Sequence, residues 1–168
     1  MGTGAPEPGK GRQTNSKFER SSYKMIKKGG TSDLETLANL AVIMWKKHSI
    51  TELTHEFSEI MRNGKSVFFL KYEKDLPVGF AQCQLRYDYV EGTNSSPVGY
   101  LEGIFVKESY RNKGYAKELL AACETWAKER GCREFASDCE INNINSFRFH
   151  KAVDFIEANR IICFTKTL

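Results

Sequence analysis

The most constraining feature of this sequence is a strand–loop–helix unit in its second half. The apolar run Val98–Val106 predicts a buried strand, and Lys107–Gly114 is a short polar loop. The loop leads into Tyr115–Arg130, where apolar residues recur at helical spacing and Gly131 follows as a C-terminal cap. A chain with this unit is expected to fold around a sheet that carries a helix on its face.

The loop has the chemistry of a phosphate cradle. Gly114 allows a tight turn, and a helix that begins there leaves N–H groups unpaired beside the positive end of its dipole, which suits a diphosphate. Arg111 and Lys113 add positive charge. Neither G-x-x-x-x-G-K-[ST] nor a G-x-G-x-x-G after a strand occurs. Taken alone, these residues are equally consistent with an ordinary loop bearing two solvated cations.

The remaining patterns predict a mixed α/β fold, with an antiparallel sheet early and a parallel crossover later. A first helix opens at the apparent capping box Ser32–Glu35 and a second ends at Asn63-Gly64. The other predicted elements are the strands Ser66–Tyr72, Val78–Tyr87, Arg133–Asp138 and Phe155–Phe164, and the helix Asn142–Ala152. The last strand is apolar and would form an exposed edge unless a second subunit pairs with it.

Domain organisation follows from composition. Residues 1–24 are rich in Gly, Pro and Ser, which predicts a mobile leader or an artificial extension, with Met25 as a plausible native start. Residues 25–168 are expected to form a single domain. The net charge of +4 lies mostly in the leader, which has five basic and two acidic residues. A nearly neutral body argues against a nucleic-acid partner.

Other classes are disfavoured by what the chain lacks. No apolar run approaches the roughly 20 residues of a membrane span, and the first residues do not read as a signal peptide. The five cysteines form no Cys-x-x-Cys pair, so we expect reduced thiols and no metal site. The expected location is the cytoplasm.

A family resemblance sharpens these inferences. Arg111-Asn112-Lys113-Gly114-Tyr115-Ala116 resembles the [QR]-x-x-G-x-[GA] motif of the GNAT superfamily of N-acetyltransferases. Tyr89–Val106, Trp126-Ala127-Lys128 and Glu134–Asp138 further resemble the aminoglycoside 6'-N-acetyltransferases of that superfamily. The similarity spans about Met25 to Leu168. It implies the GNAT fold, in which two parallel strands splay apart, here Val98–Val106 and Arg133–Asp138.

The resemblance also implies acetyl-coenzyme A as the acetyl donor. Its pantetheine arm would lie along the free edge of the first splayed strand, where a backbone N–H of Phe105 or Val106 would meet the thioester oxygen. Asn143 matches an asparagine that contacts the cofactor. The full set of expected cofactor-binding residues is Ile104, Phe105, Val106, Arg111, Asn112, Lys113, Gly114, Tyr115, Ala116 and Asn143.

Acetyl transfer to an amine requires a neutral nitrogen, and a nearby carboxylate is the usual means of providing one. By resemblance, Trp45, Tyr89, Glu102 and Asp138 line the aminoglycoside site, with Asp138 as the base and Glu102 assisting. Further carboxylates at Asp88, Glu91 and Glu140 are outer possibilities for a polycationic sugar. Without the resemblance, Glu102 and Asp138 are better explained by surface charge or by a cap on the helix Asn142–Ala152.

His150 stands five residues before Phe155, where many GNAT enzymes carry a tyrosine that protonates the leaving thiolate. An imidazole can do the same, and a packing histidine is the alternative. Two departures from the relatives are Asp154, in place of a glycine, and Asn159, in place of a substrate-holding glutamate. Asp154 is expected to keep a left-handed backbone.

Three functions therefore remain open at this stage. The first is an aminoglycoside 6'-N-acetyltransferase, which the resemblance favours. The second is a GNAT enzyme for a polyamine, a small amine metabolite or a protein terminus, and the third is a non-catalytic acyl-CoA-binding module. A homodimer is expected, since the C-terminal strand needs a partner and the relatives resemble dimers.

Overall fold

The computed structural model describes Met1 and residues 24–168, so the predicted leader lies almost entirely outside the described residues. The strands are β1 (Lys24–Lys28), β2 (Ser66–Glu73), β3 (Leu76–Arg86), β4 (Val98–Val106) and β5 (Phe135–Ser137). The α-helices are α1 (Leu34–Met44), α2 (Ile50–Arg62), α3 (Tyr115–Glu129) and α4 (Ile144–Ala152), and short 3-10 turns span Thr31–Asp33 and Glu108–Tyr110.

The strands form one mixed sheet in the order β1-β2-β3-β4-β5. Neighbours are antiparallel except β4 and β5, which are parallel. This confirms the predicted mixed α/β class with its late crossover. The strand β1 was not predicted, because Met25 and Ile26 are too short an apolar run to give a periodic signal.

Helices cover both faces of the sheet. The side chains of β2 alternate, so Val67 and Phe69 join the core beneath α3. Phe68 and Leu70 point the other way and pack with α1 and α2. The result is a three-layer structure in which β2 is buried on both sides.

The start of the first helix differs from the sequence prediction. The expected Ser32–Glu35 capping box is wrong, because α1 follows a 3-10 turn and its N-cap is Asp33. The Asp33 carboxylate instead accepts the Gly30 N–H at 2.9 Å and the Lys27 ammonium at 2.6 Å. The capping box that does form is Ser49 with Glu52 at the start of α2.

The predicted C-terminal strand Phe155–Phe164 is wrong for the single chain. This segment forms no strand, and Ile156, Ile162 and Phe164 are each more than 80% exposed. A strand forms only when a neighbour supplies backbone partners, and β5 ends after three residues, shorter than the predicted Arg133–Asp138. Phe155 packs against Phe135 and His150, whereas the apolar side chains Ile156, Ile161, Ile162 and Phe164 are exposed in this chain.

Candidate functional site

The parallel strands β4 and β5 separate after a short stretch of pairing. They pair at Gly99–Phe135, Tyr100–Ala136 and Leu101–Ser137, and no further pairing occurs between them in the described chain. Glu102 lies just beyond, in a bulge where the β3–β4 register shifts between Gln82 and Cys83. A bulge bends its strand and re-aims side chains. The predicted splay is thus present and begins beside Glu102.

Beyond the bulge, β4 is bonded on one side only. Ile104, Phe105 and Val106 pair with β3, and no strand of the described residues covers their other edge. One backbone group there is already engaged, because the Val106 carbonyl accepts the Arg111 Nε–H at 3.1 Å. The remaining edge can pair with an extended ligand in the way another strand would.

The loop before α3 forms an anion cradle from backbone groups. Asn112 and Gly114 both have positive φ, 61° and 83° respectively. In the described part of the chain, the N–H groups of Asn112, Lys113, Gly114 and Ala116 donate no backbone hydrogen bond outside regular elements. An added Cβ at Gly114 would meet nothing within 4 Å, so the space above this turn is open. Unpaired amides in such a turn, at the positive end of a helix, suit a diphosphate.

The side chains of this loop are engaged within the protein. The Lys113 ammonium lies 3.3 Å from a Glu73 carboxylate oxygen. The Tyr115 hydroxyl donates to the same carboxylate at 2.7 Å, and the ring is 1% exposed. Burial, together with the Glu73 carboxylate, raises the pKa of Tyr115 to about 12. The cradle is therefore built mainly from the backbone, and Tyr115 contributes structure rather than charge.

Asn143 is the N-cap of α4, where its side-chain oxygen accepts the Ser146 N–H at 3.0 Å. The amide NH₂ of Asn143 is the part of the side chain that remains for a ligand. Because Asn143 fills the cap, the alternative reading of Asp138 as the cap of this helix is wrong.

Asp138 and Glu102 are linked through two residues that sequence reasoning missed. The Tyr100 hydroxyl donates to Asp138 at 2.8 Å. Arg86 bonds both oxygens of Glu102, at 2.8 and 3.0 Å, and its guanidinium lies 3.3 Å from the Tyr100 ring centroid. Burial and the Asp138 carboxylate raise the pKa of Tyr100 far above its ordinary value, so this hydroxyl stays protonated as a donor. Tyr100 stands two residues before Glu102, a spacing that could have flagged it.

Trp45 and Tyr89, the predicted aromatic residues of the site, lie in different surroundings. Trp45 packs edge-on against Phe57 and Phe80, and its ring atoms would come within 2.9 Å of a Cβ at Gly103. Trp45 is therefore part of the core and also borders the bulge. Tyr89 is 80% exposed and donates to Glu91 at 2.8 Å, and no hydrogen bond or ring contact in the described chain joins it to Glu102 or Asp138.

His150 lies where β4 and β5 part. Its Nδ1 is 2.7 Å from the Ser146 carbonyl oxygen, so this nitrogen carries a proton, since a carbonyl only accepts. Its Nε2 is 2.9 Å from the Ser137 hydroxyl, which also lies 3.1 Å from the Leu101 carbonyl. The neutral ring accepts from Ser137, whereas an imidazolium would donate and release that hydroxyl toward Leu101. A role for His150 in acid catalysis stays a prediction.

The two departures have distinct structural outcomes. Asp154 has a φ of 68°, which confirms the expected left-handed backbone. The Asn159 amide donates to Glu91 at 3.2 Å, so a donor stands where the relatives were expected to carry a carboxylate.

Within the described residues, no group of three or more His, Cys, Asp or Glu side chains is arranged to hold a metal ion. No helix in the same residues has both the length and the apolar character needed to cross a membrane.

Comparisons with known proteins agree with this geometry. The model of the acetyltransferase (GNAT) family matches residues 34–155. An aminoglycoside N(6')-acetyltransferase type 1 of Serratia marcescens is 39% identical over 137 residues, covering 81% of this chain and 94% of the relative. A protein of the same name from Salmonella enteritidis is 37% identical over 141 residues, covering 84% and 97%.

Solved structures give the same picture. Aminoglycoside N-acetyltransferase AAC(6')-Iy in complex with CoA superposes with a TM-score of 0.85 at 36% identity, covering 89% of this chain and 98% of that one. AAC(6')-Iy with the bisubstrate analogue CoA-S-monomethyl-acetylneamine gives a TM-score of 0.83 at 36% identity, covering 88% and 100%.

Proposed function

The chain belongs to the acetyltransferase (GNAT) family, and from this we propose that it is an aminoglycoside 6'-N-acetyltransferase. It transfers the acetyl group of acetyl-coenzyme A to the 6'-amino group of an aminoglycoside, which gives resistance to the drug. The observation that carries the proposal is the linked pair of carboxylates, Glu102 and Asp138, at the mouth of the splayed strands. The names of the curated relatives, 31–39% identical, supply the acceptor class.

The fit to acetyl-coenzyme A rests on the open cradle and the open strand edge. Amides of Asn112, Lys113, Gly114, Tyr115 and Ala116 would hold the diphosphate, and Lys113 can exchange Glu73 for a phosphate oxygen. The edge of Ile104, Phe105 and Val106 would hold the pantetheine arm. Arg111 supports this edge through the Val106 carbonyl, and the NH₂ group of Asn143 is available from α4. When bound, acetyl-coenzyme A supplies an activated acetyl thioester.

The acceptor side must bind a cation and deliver a neutral amine. An alkylammonium with a pKa of about 10.4 is almost entirely protonated at neutral pH, so a carboxylate must take its proton. We assign this step to Asp138, which Tyr100 holds in place. Arg86 holds the Glu102 carboxylate in place, and Trp45 and Tyr89 would offer ring surface to the sugar. For His150 we propose the role of acid toward the thiolate, in its imidazolium form.

The C-terminal segment supports a homodimer. Ile156, Ile162 and Phe164 are apolar and exposed in a single chain, and a second copy would cover them. Sedimentation at micromolar concentration should give a dimer, and a monomer would contradict this.

We also propose that residues 25–168 act as one domain in the cytoplasm, where the five free cysteines would remain reduced.

The decisive experiment uses two acceptors that differ at one atom. Neamine carries an amine at the 6' carbon and paromamine a hydroxyl there, with the remaining amines in common. Purified protein with acetyl-coenzyme A should release free thiol with neamine and none above background with paromamine. Equal rates would contradict 6' specificity. Turnover of a polyamine or peptide without turnover of any aminoglycoside would overturn the acceptor class.

A further inference from the structure

Lys71 is a buried charge that the chemistry above does not use. It follows the apolar residues of β2, and its side chain is completely inaccessible to solvent. Burying an ammonium group is strongly unfavourable unless charges or dipoles around it compensate. The groups that compensate Lys71 therefore indicate what its charge does for the structure.

Both compensating groups belong to the first turn of α3. The Lys71 ammonium forms an ion pair with the Glu118 carboxylate. It also lies 4.6 Å from the centroid of the Tyr115 ring, a cation–π distance. The same turn presents the amides of the proposed diphosphate cradle. Lys71 is thus bonded directly to the element that would hold the diphosphate, yet it is too deeply buried to reach a ligand.

A second point of attachment lies two residues further along β2. Side chains at this spacing share one face of a strand, so Lys71 and Glu73 both point toward α3. Glu73 accepts the Tyr115 hydroxyl at 2.7 Å and lies 3.3 Å from the Lys113 ammonium. The helix needs such support, because its N-cap Gly114 has no side chain with which to cap the first turn.

We propose that Lys71 is a positioning residue for the cofactor. It fixes the first turn of α3 onto β2, so that the cradle amides are held in place before the diphosphate arrives. The proposal rests on the use of acetyl-coenzyme A stated above. Because Lys71 contacts no ligand, its replacement should weaken only interactions that pass through the cradle.

The test compares two acetyl donors in the variant Lys71→Met. Methionine fills a similar volume without charge, and Glu118, whose side chain is 43% exposed, can turn to water. We expect coenzyme A to bind about tenfold more weakly by calorimetry. The kcat/KM for acetyl-coenzyme A should fall by a similar factor. The kcat/KM for S-acetylpantetheine, which lacks the diphosphate, should stay within about twofold.

Two further variants make the result unambiguous. Lys27→Met removes a strand lysine that pairs with Asp33 at 2.6 Å. Lys27 lies opposite Leu70, on the sheet face that packs against α1 and α2 and not α3, so this change should leave both donors unaffected. If Lys71→Met does not fold, the double variant Lys71→Met/Glu118→Gln removes both charges and should show the same donor-selective loss. Equal losses for both donors, or unchanged coenzyme A affinity, would overturn the proposal.

The test of Lys71 does not depend on which amine the protein acetylates. Coenzyme A binding is measured without an acceptor, so it decides the role of Lys71 whichever amine is acetylated. A wild-type protein that binds coenzyme A but does not acetylate aminoglycosides would refute the proposed function alone.

Discussion

The two halves of the proposed site are built differently. On the cofactor side, Lys71 and Tyr115 are at most 1% exposed and join the cradle to β2. On the proposed acceptor side, Tyr89 is 80% exposed and donates its hydrogen bond to Glu91, another surface group. We infer that a single chain builds the proposed cofactor half, whereas the proposed acceptor half is left open to a substrate.

The largest effect is expected from Asp138→Asn. The amide cannot take a proton from the ammonium, although it can still accept the Tyr100 hydrogen bond. We expect kcat to fall by about 10²- to 10³-fold with neamine in a thiol-release assay, as for the loss of a general base. Coenzyme A affinity by calorimetry should be unchanged, since the two halves are separate. A fall in kcat of less than threefold, or a matching loss of coenzyme A binding, would break this division.

An effect of intermediate size is expected from substitutions at the glycines that flank the two ends of α3. Gly114 and Gly131 have φ of 83° and 84°, and an added Cβ meets nothing within 4 Å at either position. Replacing either glycine by alanine should therefore lower the free energy of unfolding, measured with urea, by a similar amount of about 1–2 kcal/mol. Only Gly114→Ala should also weaken coenzyme A binding, by about tenfold, because it disturbs the cradle. Equal binding by the two variants would mean that the cradle is not at Gly114.

The smallest effect concerns pH and the loop before β4, at the paired end of β4 and β5. The Ser95 hydroxyl and then the Asn94 N–H lower the pKa of Glu134, and these bonds tie the loop before β4 to β5. The pKa of Glu134 is lower in the folded than in the unfolded state. The stability that its hydrogen bonds contribute is therefore present above about pH 4.3, and it is lost as the pH falls through the lowered pKa.

Thermal unfolding of the wild type and of Glu134→Gln tests this dependence. The wild type should be slightly more stable at pH 7, and the difference should disappear near pH 3. A difference that is the same at both pH values would show that Glu134 acts through packing.

The Tyr115–Glu73 bond would not weaken through loss of the phenolic proton below pH 10, because the pKa of Tyr115 is raised to about 12.

Local patterns in the sequence predicted much of this structure. The bounds of β4 are as predicted, because Val98–Val106 is a continuous apolar run bounded by polar loops. Gly114 and Gly131 were placed correctly at the ends of α3, because their left-handed backbone is a local requirement. The C-terminal strand was predicted wrongly from an equally apolar segment, since apolar character does not supply a neighbouring strand.

The family, the cradle motif and the residue types of the proposed acceptor site could all be inferred from the amino-acid sequence alone. These depend on local backbone geometry and on order along the chain. The folded chain was needed to show that Arg86 and Tyr100 link the two carboxylates and that Lys71 is paired with the first turn of α3. Those contacts join residues up to 47 positions apart, and the register of the sheet, not the spacing in the chain, brings them together.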